Sequence, residues 1–253
     1  MSKIKNALNN NKVMLGFITA GDPSLEKTKE YILEMERAGM NVIQIGIPFS
    51  DPIAEGAIIQ EANVRALEAG CNLPKIFDMV EELRKETQIP LVFRTYANPV
   101  FHYGYDAFCK KCHEVGVDGF MIPDIPYEER AELEEAAKKY ELDFITLIAM
   151  NSKKRVKALA QQASGYICLI PSGSEAGSKE QKNADVFDYV EEIRKYTDIP
   201  VAVEFEGTTR QEVKECLKEA DGIVVGTRIV SLIEEHKESA NEVIYEYVKG
   251  LCG

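Results

Sequence analysis

A primary amide, Gln44, and a carboxylate, Glu55, stand eleven positions apart in the segment NVIQIGIPFSDPIAEG, residues 41–56. A carboxyl group held against an apolar strand can shuttle protons or hold a hydrogen-bond donor. An amide has no useful titration near neutral pH, so it binds and orients but cannot serve as general acid or base, a role worth about 10²–10⁴ in rate. Either chemistry needs a strand to present Gln44 and a turn, here rich in Gly, Pro, Ser and Asp, to bring Glu55 near it.

Other polar groups cluster at the ends of apolar runs: Asp22, Ser50, Asp51, Tyr96, Asn98, Asp124, Ser172, Ser174, Glu204, Glu206, Thr208, Thr227 and Arg228. Glycine turns at 172–177 and at Gly226-Thr227 could aim backbone N–H groups at a phosphate, although such turns also simply end strands. No glycine-rich dinucleotide fingerprint or P-loop is present. Cys109, Cys112 and His113 spell the C-x-x-C-H pattern of haem attachment. They lie in a helical segment with no signal peptide before it and no second ligand pair at metal spacing, so surface and core cysteines of one helix account for them better than haem or zinc. His102, His113 and His236 have no context that suggests a triad and are expected on the solvated surface.

The elements that must position these groups alternate along the chain. Apolar runs fall at 13–20, 41–49, 90–97, 119–124, 143–150, 165–171, 200–205 and 222–226. Amphipathic patterns separate them: Ile32, Met35 and Ala38 mark one stripe, helical stretches are expected at 58–69 and 74–86, and a helix over 183–196 carries Val186, Tyr189, Val190 and Ile193 behind an Asn183 or Asp185 cap. Strands apolar throughout, each followed by a helix, predict a parallel sheet covered on its outer face. Two strand entries echo one another: Thr87-Gln-Ile-Pro90 resembles Thr197-Asp-Ile-Pro200, and Val117-Asp-Gly-Phe120 resembles Ala220-Asp-Gly-Ile223. Eight such units with weak repetition predict an α/β chain folded as one (β/α)8 TIM barrel spanning 1–253, with an open doubly wound sheet as the alternative.

At 253 residues the chain fits one such barrel, and 45% hydrophobic content supplies an ample core. A net charge of −12 argues against nucleic acid or an anionic membrane as partner. No run of about 18 apolar residues exists to span a bilayer. Six scattered cysteines do not form a disulfide scaffold, and a cytoplasmic setting with reduced thiols is expected.

Phe17-Ile-Thr-Ala-Gly-Asp-Pro23, Gly46-Ile-Pro-Phe-Ser-Asp-Pro52, Tyr96-Ala-Asn-Pro99, Pro123-Asp-Ile-Pro126 and the last strand, Ala220-Asp-Gly-Ile-Val-Val-Gly226, resemble the tryptophan synthase alpha subunit family over nearly the whole chain. The resemblance implies a (β/α)8 barrel that cleaves indole-3-glycerol phosphate to indole and glyceraldehyde 3-phosphate. It also implies a pyridoxal-phosphate-dependent beta subunit that receives the indole; the alpha chain itself uses no cofactor and no metal. Carried onto this sequence, it puts Gln44 and Glu55 at the catalytic positions, where the family has Glu and Asp. It puts Phe17, Asp22, Arg94, Tyr96, Asn98, Asp124 and Cys168 around a small phosphorylated or anionic substrate. Gly177, Glu206, Gly207, Gly226, Thr227 and Arg228 fall around the phosphate.

Departures from the family pattern coincide at the site. Gln44 cannot titrate, and the extra methylene of Glu55 shifts its carboxylate by about 1 Å, enough to cost about 10² in rate if nothing else moves. Arg94 replaces an apolar residue facing the indole ring, and Cys168 replaces a tyrosine. Glu204 and Glu206 enter a glycine-rich phosphate turn, where a carboxylate about 4 Å from a phosphate oxygen repels it by about 4 kcal/mol. Three readings stay open. The chain still cleaves its substrate with Glu55, Glu206 or Asp124 moving protons; it is a binding or regulatory partner of a beta-type subunit through residues 52–56; or it takes another small anion at Arg94. In a fourth, purely structural reading Gln44 is a satisfied amide and Arg94 pairs with Glu204 or Glu206.

Overall fold

The computed structural model describes residues 2–8, 13–151, 153–171, 179–205 and 209–253, with 179–185 described through the backbone. Eight parallel strands, β1 (Val13–Thr19), β2 (Val42–Gly46), β3 (Leu91–Arg94), β4 (Gly119–Met121), β5 (Asp143–Ala149), β6 (Ser164–Ile170), β7 (Val201–Glu204) and β8 (Gly222–Val225), close into a barrel in sequence order. The open doubly wound alternative is excluded, because β8 pairs with β1 through Val13↔Gly222 to Gly16↔Val225. The helices are α1 (Lys3–Leu8), α2 (Leu25–Ala38), α3 (Ala57–Glu68), α4 (Leu73–Leu83), α5 (Ala97–Tyr103), α6 (Tyr105–Val115), α7 (Ala131–Lys139), α8 (Val156–Gln161), α9 (Lys179–Arg194), α10 (Arg210–Cys216), α11 (Thr227–His236) and α12 (Asn241–Cys252). Among the described residues, no helix is long and apolar enough to cross a membrane.

Period-two alternation sorts the strand residues into two cores. Val13, Leu15, Val42, Val92, Met121, Ile145, Ala202 and Val224 fill the barrel interior, and Ile4 and Leu8 of α1 join them from below. Their neighbours, among them Ile18, Ile43, Phe93, Phe120, Ile167, Val203 and Ile223, pack outward against the helices. The expected stripe of α2 is fully buried there: Ile32, Met35 and Ala38. Cys109 and Cys112 of α6 both face this outer core, where burial pushes their thiols up, Cys109 to about 12, so neither is the surface cysteine expected. All three histidines are exposed, as expected.

The expected strands stand where the apolar runs lie, but several end earlier. The run at 41–49 ends as a strand at Gly46; Ile47 N–H still donates to the Arg94 carbonyl at 2.8 Å, but Pro48 has no N–H and the chain turns into a loop. The cap expected at Asn183 or Asp185 is displaced: α9 begins at Lys179, since Lys179-Glu-Gln-Lys182 are strong helix formers that extend it by a turn.

At the barrel floor, the two echoing strand entries build the same latch. Asp118 Oδ2 accepts Leu91 N–H at 2.9 Å and Arg84 Nη2 at 2.8 Å, while Arg84 Nε donates to the Gly116 carbonyl at 2.9 Å. Four strands on, Asp221 accepts Val201 N–H at 2.8 Å and Arg194 Nη2 at 3.0 Å, and Arg194 also reaches the Glu219 carbonyl at 2.7 Å. The threonines repeat as well: Thr87 and Thr197 each accept the N–H two residues ahead, at 3.0 and 3.2 Å.

Candidate functional site

The upper interior is built by the same alternation that fills the floor, with polar side chains in place of valines. Gln44 follows Val42 on β2, Arg94 follows Val92 on β3, Cys168 follows Tyr166 on β6, and Glu204 follows Ala202 on β7. Gln44 is fully buried; its Nε2 donates to Tyr166 Oη at 2.7 Å, and its Oε1 has no hydrogen-bond partner among the described residues. Burial drives the Tyr166 phenol well above its ordinary range. No proton-transfer group stands at the end of β2.

Arg94 occupies the centre. Its Nε and Nη2 donate to the two Glu55 oxygens at 2.8 and 3.2 Å, and Nη1 donates to Glu204. Cys168 Sγ lies 3.9 Å from the same Glu204 oxygen. The guanidinium carbon stands 5.5 Å from the centroid of the Phe17 ring, a cation–π distance. With one cation against two carboxylates, the cluster carries a surplus negative charge. Burial alone would lower Arg94, but Glu204 and Glu55 outweigh it and hold the guanidinium above its usual value. Burial raises Glu55 above its ordinary 4.5, Glu204 adds to the rise, and Arg94 opposes it. The two directions are consistent, because the surplus charge falls on a carboxyl.

Phe17 is fixed from both sides by glycines. A Cβ at Gly46 would lie 2.8 Å from the ring and one at Gly226 2.9 Å from the Phe17 Cβ, so both residues are required by packing. The same constraint accounts for Gly226 without a phosphate. Thr227 opens α11, and Arg228 turns along that helix to Glu235 at 2.6 Å and Ser231 at 3.2 Å, away from the phosphate role expected of it. Gly177, Glu206 and Gly207, like Ser172, Ser174 and Thr208, lie outside the described residues.

The remaining expected residues hold loops. Asp22 is buried and pairs with Arg65 of α3 through two bonds of 3.0 and 2.8 Å. Tyr96 Oη accepts Ala54 N–H at 3.1 Å, and its ring lies 5.3 Å from that of Phe49. Asp124 Oδ1 accepts Ala97 N–H at 2.8 Å, and Asn98 is exposed. The anion-anchoring role expected of Arg94 gives way to internal pairing; Glu204, one of its two candidate partners, is joined by Glu55.

Three members escaped the sequence reading. Tyr166 is foreshadowed only by its place two residues before Cys168 on an inward-facing strand. Asn63 accepts Phe49 N–H at 2.8 Å and donates to the Ile59 carbonyl at 2.7 Å, fixing the turn after β2. Arg65 sits in a helix without signal, 43 residues from Asp22.

A closed eight-stranded parallel barrel with its polar groups gathered at the strand ends defines the class of barrel enzymes that carry their sites at that face. Residues 3–251 match the family model described as Tryptophan synthase alpha chain. The chain is 40% identical to the tryptophan synthase alpha chain of Lacticaseibacillus casei over 249 residues, covering 98% of this chain and 94% of that one. It is 41% identical to that of Alkaliphilus metalliredigens over 233 residues, covering 92% and 87%. Among solved structures, the tryptophan synthase complex of Pyrococcus furiosus matches with a TM-score of 0.87 at 33% identity, covering 94% of this chain and 97% of that one. The alpha subunit from Campylobacter jejuni matches with a TM-score of 0.87 at 30% identity, covering 96% of each. The chain belongs to the tryptophan synthase alpha chain family.

Proposed function

We propose that this chain no longer cleaves indole-3-glycerol phosphate at a useful rate and acts as a non-catalytic partner of a tryptophan synthase beta-type subunit. The observation that carries this reading is Arg94. Its guanidinium stands over the Phe17 ring and takes both oxygens of Glu55 and one of Glu204, so the cation claims the ring's neighbourhood and the carboxylates at once. Cleavage needs one group to move protons and one to hold the indole N–H as the ring leaves. Gln44 cannot do the first, and Glu55 is engaged elsewhere.

Retargeting to another small anion is disfavoured by the same cluster. Three Arg94 nitrogens already donate to carboxylates, and the net negative charge repels an incoming phosphate or carboxylate. A partner role draws support from the mouth's outer surface. Ile53, in the loop after β2, is 79% exposed, and Phe101, on α5 after the adjacent β3, is 73% exposed. Large apolar side chains held in water on neighbouring segments of one rim are the composition of a protein-docking patch.

The test has two arms. Indole release from indole-3-glycerol phosphate is expected to match buffer, and adding the chain to the source organism's own beta chain is expected to change that chain's turnover of indole and serine. Cleavage at a rate of about 1 s⁻¹ or more, within the common enzyme range, would overturn the loss of activity. No complex and no change in beta-chain turnover at micromolar concentrations would overturn the partner role.

A further inference from the structure

Among the described residues Ile53 is the most exposed large apolar side chain, yet the loop that carries it is held from inside the barrel. Of residues 50–56, Ala54 donates its N–H to Tyr96 Oη, and Glu55 sends its side chain inward, 5% exposed, onto Arg94. Arg94 is in turn braced by Glu204 on the far wall and by the face of Phe17. Gly56, with open space where a Cβ would be, and Pro52 flank the anchored pair. Side chains from β2's loop, β3 and β7 thus converge on one cation, and the exposed Ile53 sits two residues from its contact with Glu55.

Building on the partner role above, we infer that Arg94 is a positioning residue for the docking rim: it takes the place of a bound ligand and holds the 50–56 loop permanently in the shape a beta-type chain recognises. The geometry makes the loop's conformation independent of any small molecule. A loop anchored by one hydrogen bond must be ordered when a partner arrives, and that ordering lowers affinity; a loop tied in advance by a forked ion pair and a phenol has little left to order. The charge count fits the role. All three guanidinium nitrogens already donate to carboxylates of this chain, so the clamp closes without a further anion. An enzyme cycling through substrates gains nothing from such a clamp, whereas a constitutive partner does.

The test follows exchange of the Ala54 and Glu55 amides in the isolated chain, alongside titration of the source organism's beta chain by calorimetry. In Arg94→Met, exchange across 51–56 is expected to rise at least tenfold while the β1–β8 amides keep their protection, and the beta-chain Kd is expected to rise tenfold or more although Ile53 is untouched. Glu55→Gln, altered on a surface loop, gives the same comparison should Arg94→Met not fold. Arg94→Lys, a cation without the fork, is expected to fall between. Unchanged loop exchange in both Arg94→Met and Glu55→Gln overturns the clamp outright. Faster exchange with unchanged Kd overturns its link to docking and leaves the partner role standing. A wild-type chain that forms no complex overturns the partner role itself, and this inference with it.

Discussion

Two arginines, one at each end of the barrel, are spent in opposite ways. Arg84 at the floor gives its donors to the carbonyls of Gly116 and Ile89 and to a single carboxylate, Asp118, which also closes on Leu91 N–H. Arg94 at the mouth bonds no carbonyl and serves two carboxylates. Burial leaves Arg84 below the ordinary arginine value, while Arg94, although more buried, is held above it by Glu204 and Glu55. A carboxylate met by Arg84 and, at 3.8 Å, by Lys3, with backbone satisfied in passing, is what a scaffold needs. Surplus charge beside an unpartnered amide oxygen is what a scaffold avoids and a site tolerates.

The comparison breaks most readily at the floor. Arg84→Met takes from Asp118 its nearer cation and from the Gly116 and Ile89 carbonyls their donor, and should cost roughly 3 kcal/mol in denaturant unfolding. Arg94→Met is expected to cost less, roughly 2 kcal/mol, because Glu55 lies on a loop that can swing outward and Glu204 already meets solvent. Its deficit should shrink on acidification, as the abandoned Glu55 carboxyl takes up a proton. Equal losses at the two ends, or a pH-independent loss at the mouth, would erase the distinction.

The Gln44–Tyr166 pair sharpens it further. Gln44→Met or Tyr166→Phe alone leaves a buried polar group unmatched and should cost about 1–2 kcal/mol, whereas the double variant should lie close to wild type. A double variant as unstable as the sum of the singles would mean that the two side chains are not coupled.

The smallest effect is the pH dependence of Glu55→Gln. A carboxyl raised in the folded state favours folding while protonated; that contribution is complete below the unfolded value near 4.5 and is lost as pH rises through the folded value. Wild type should therefore lose ground to Glu55→Gln as pH rises above 4.5, read as a widening difference in Tm. The opposite trend would show Arg94 winning over burial.

The barrel itself was legible because parallel strands buried on both faces are continuous apolar runs, and the helices between them carry a separate period. Boundaries slipped where apolar residues continue into loops, as in Ile47-Pro-Phe49, and where good helix formers precede a cap-like residue, as before Asn183. At the site, sequence marked Gln44, Glu55 and Arg94 as departures. It offered Glu204 as a partner for Arg94 but not Glu55, 39 residues away, because that contact depends on how far a loop folds back over the mouth. Tyr166 and Arg65 stayed hidden for a related reason: an inward tyrosine and a helical arginine are ordinary residues until a fold puts Gln44 and Asp22 beside them.

The floor latch occurs twice, each arginine six positions before a proline and each aspartate one position before a glycine. Rotating the ring by half a revolution would therefore superpose one fastening on the other. The lower rim keeps a twofold regularity that the upper rim lacks, and what the sequence shows as a few repeated letters the fold turns into the same set of hydrogen bonds on opposite sides of the ring.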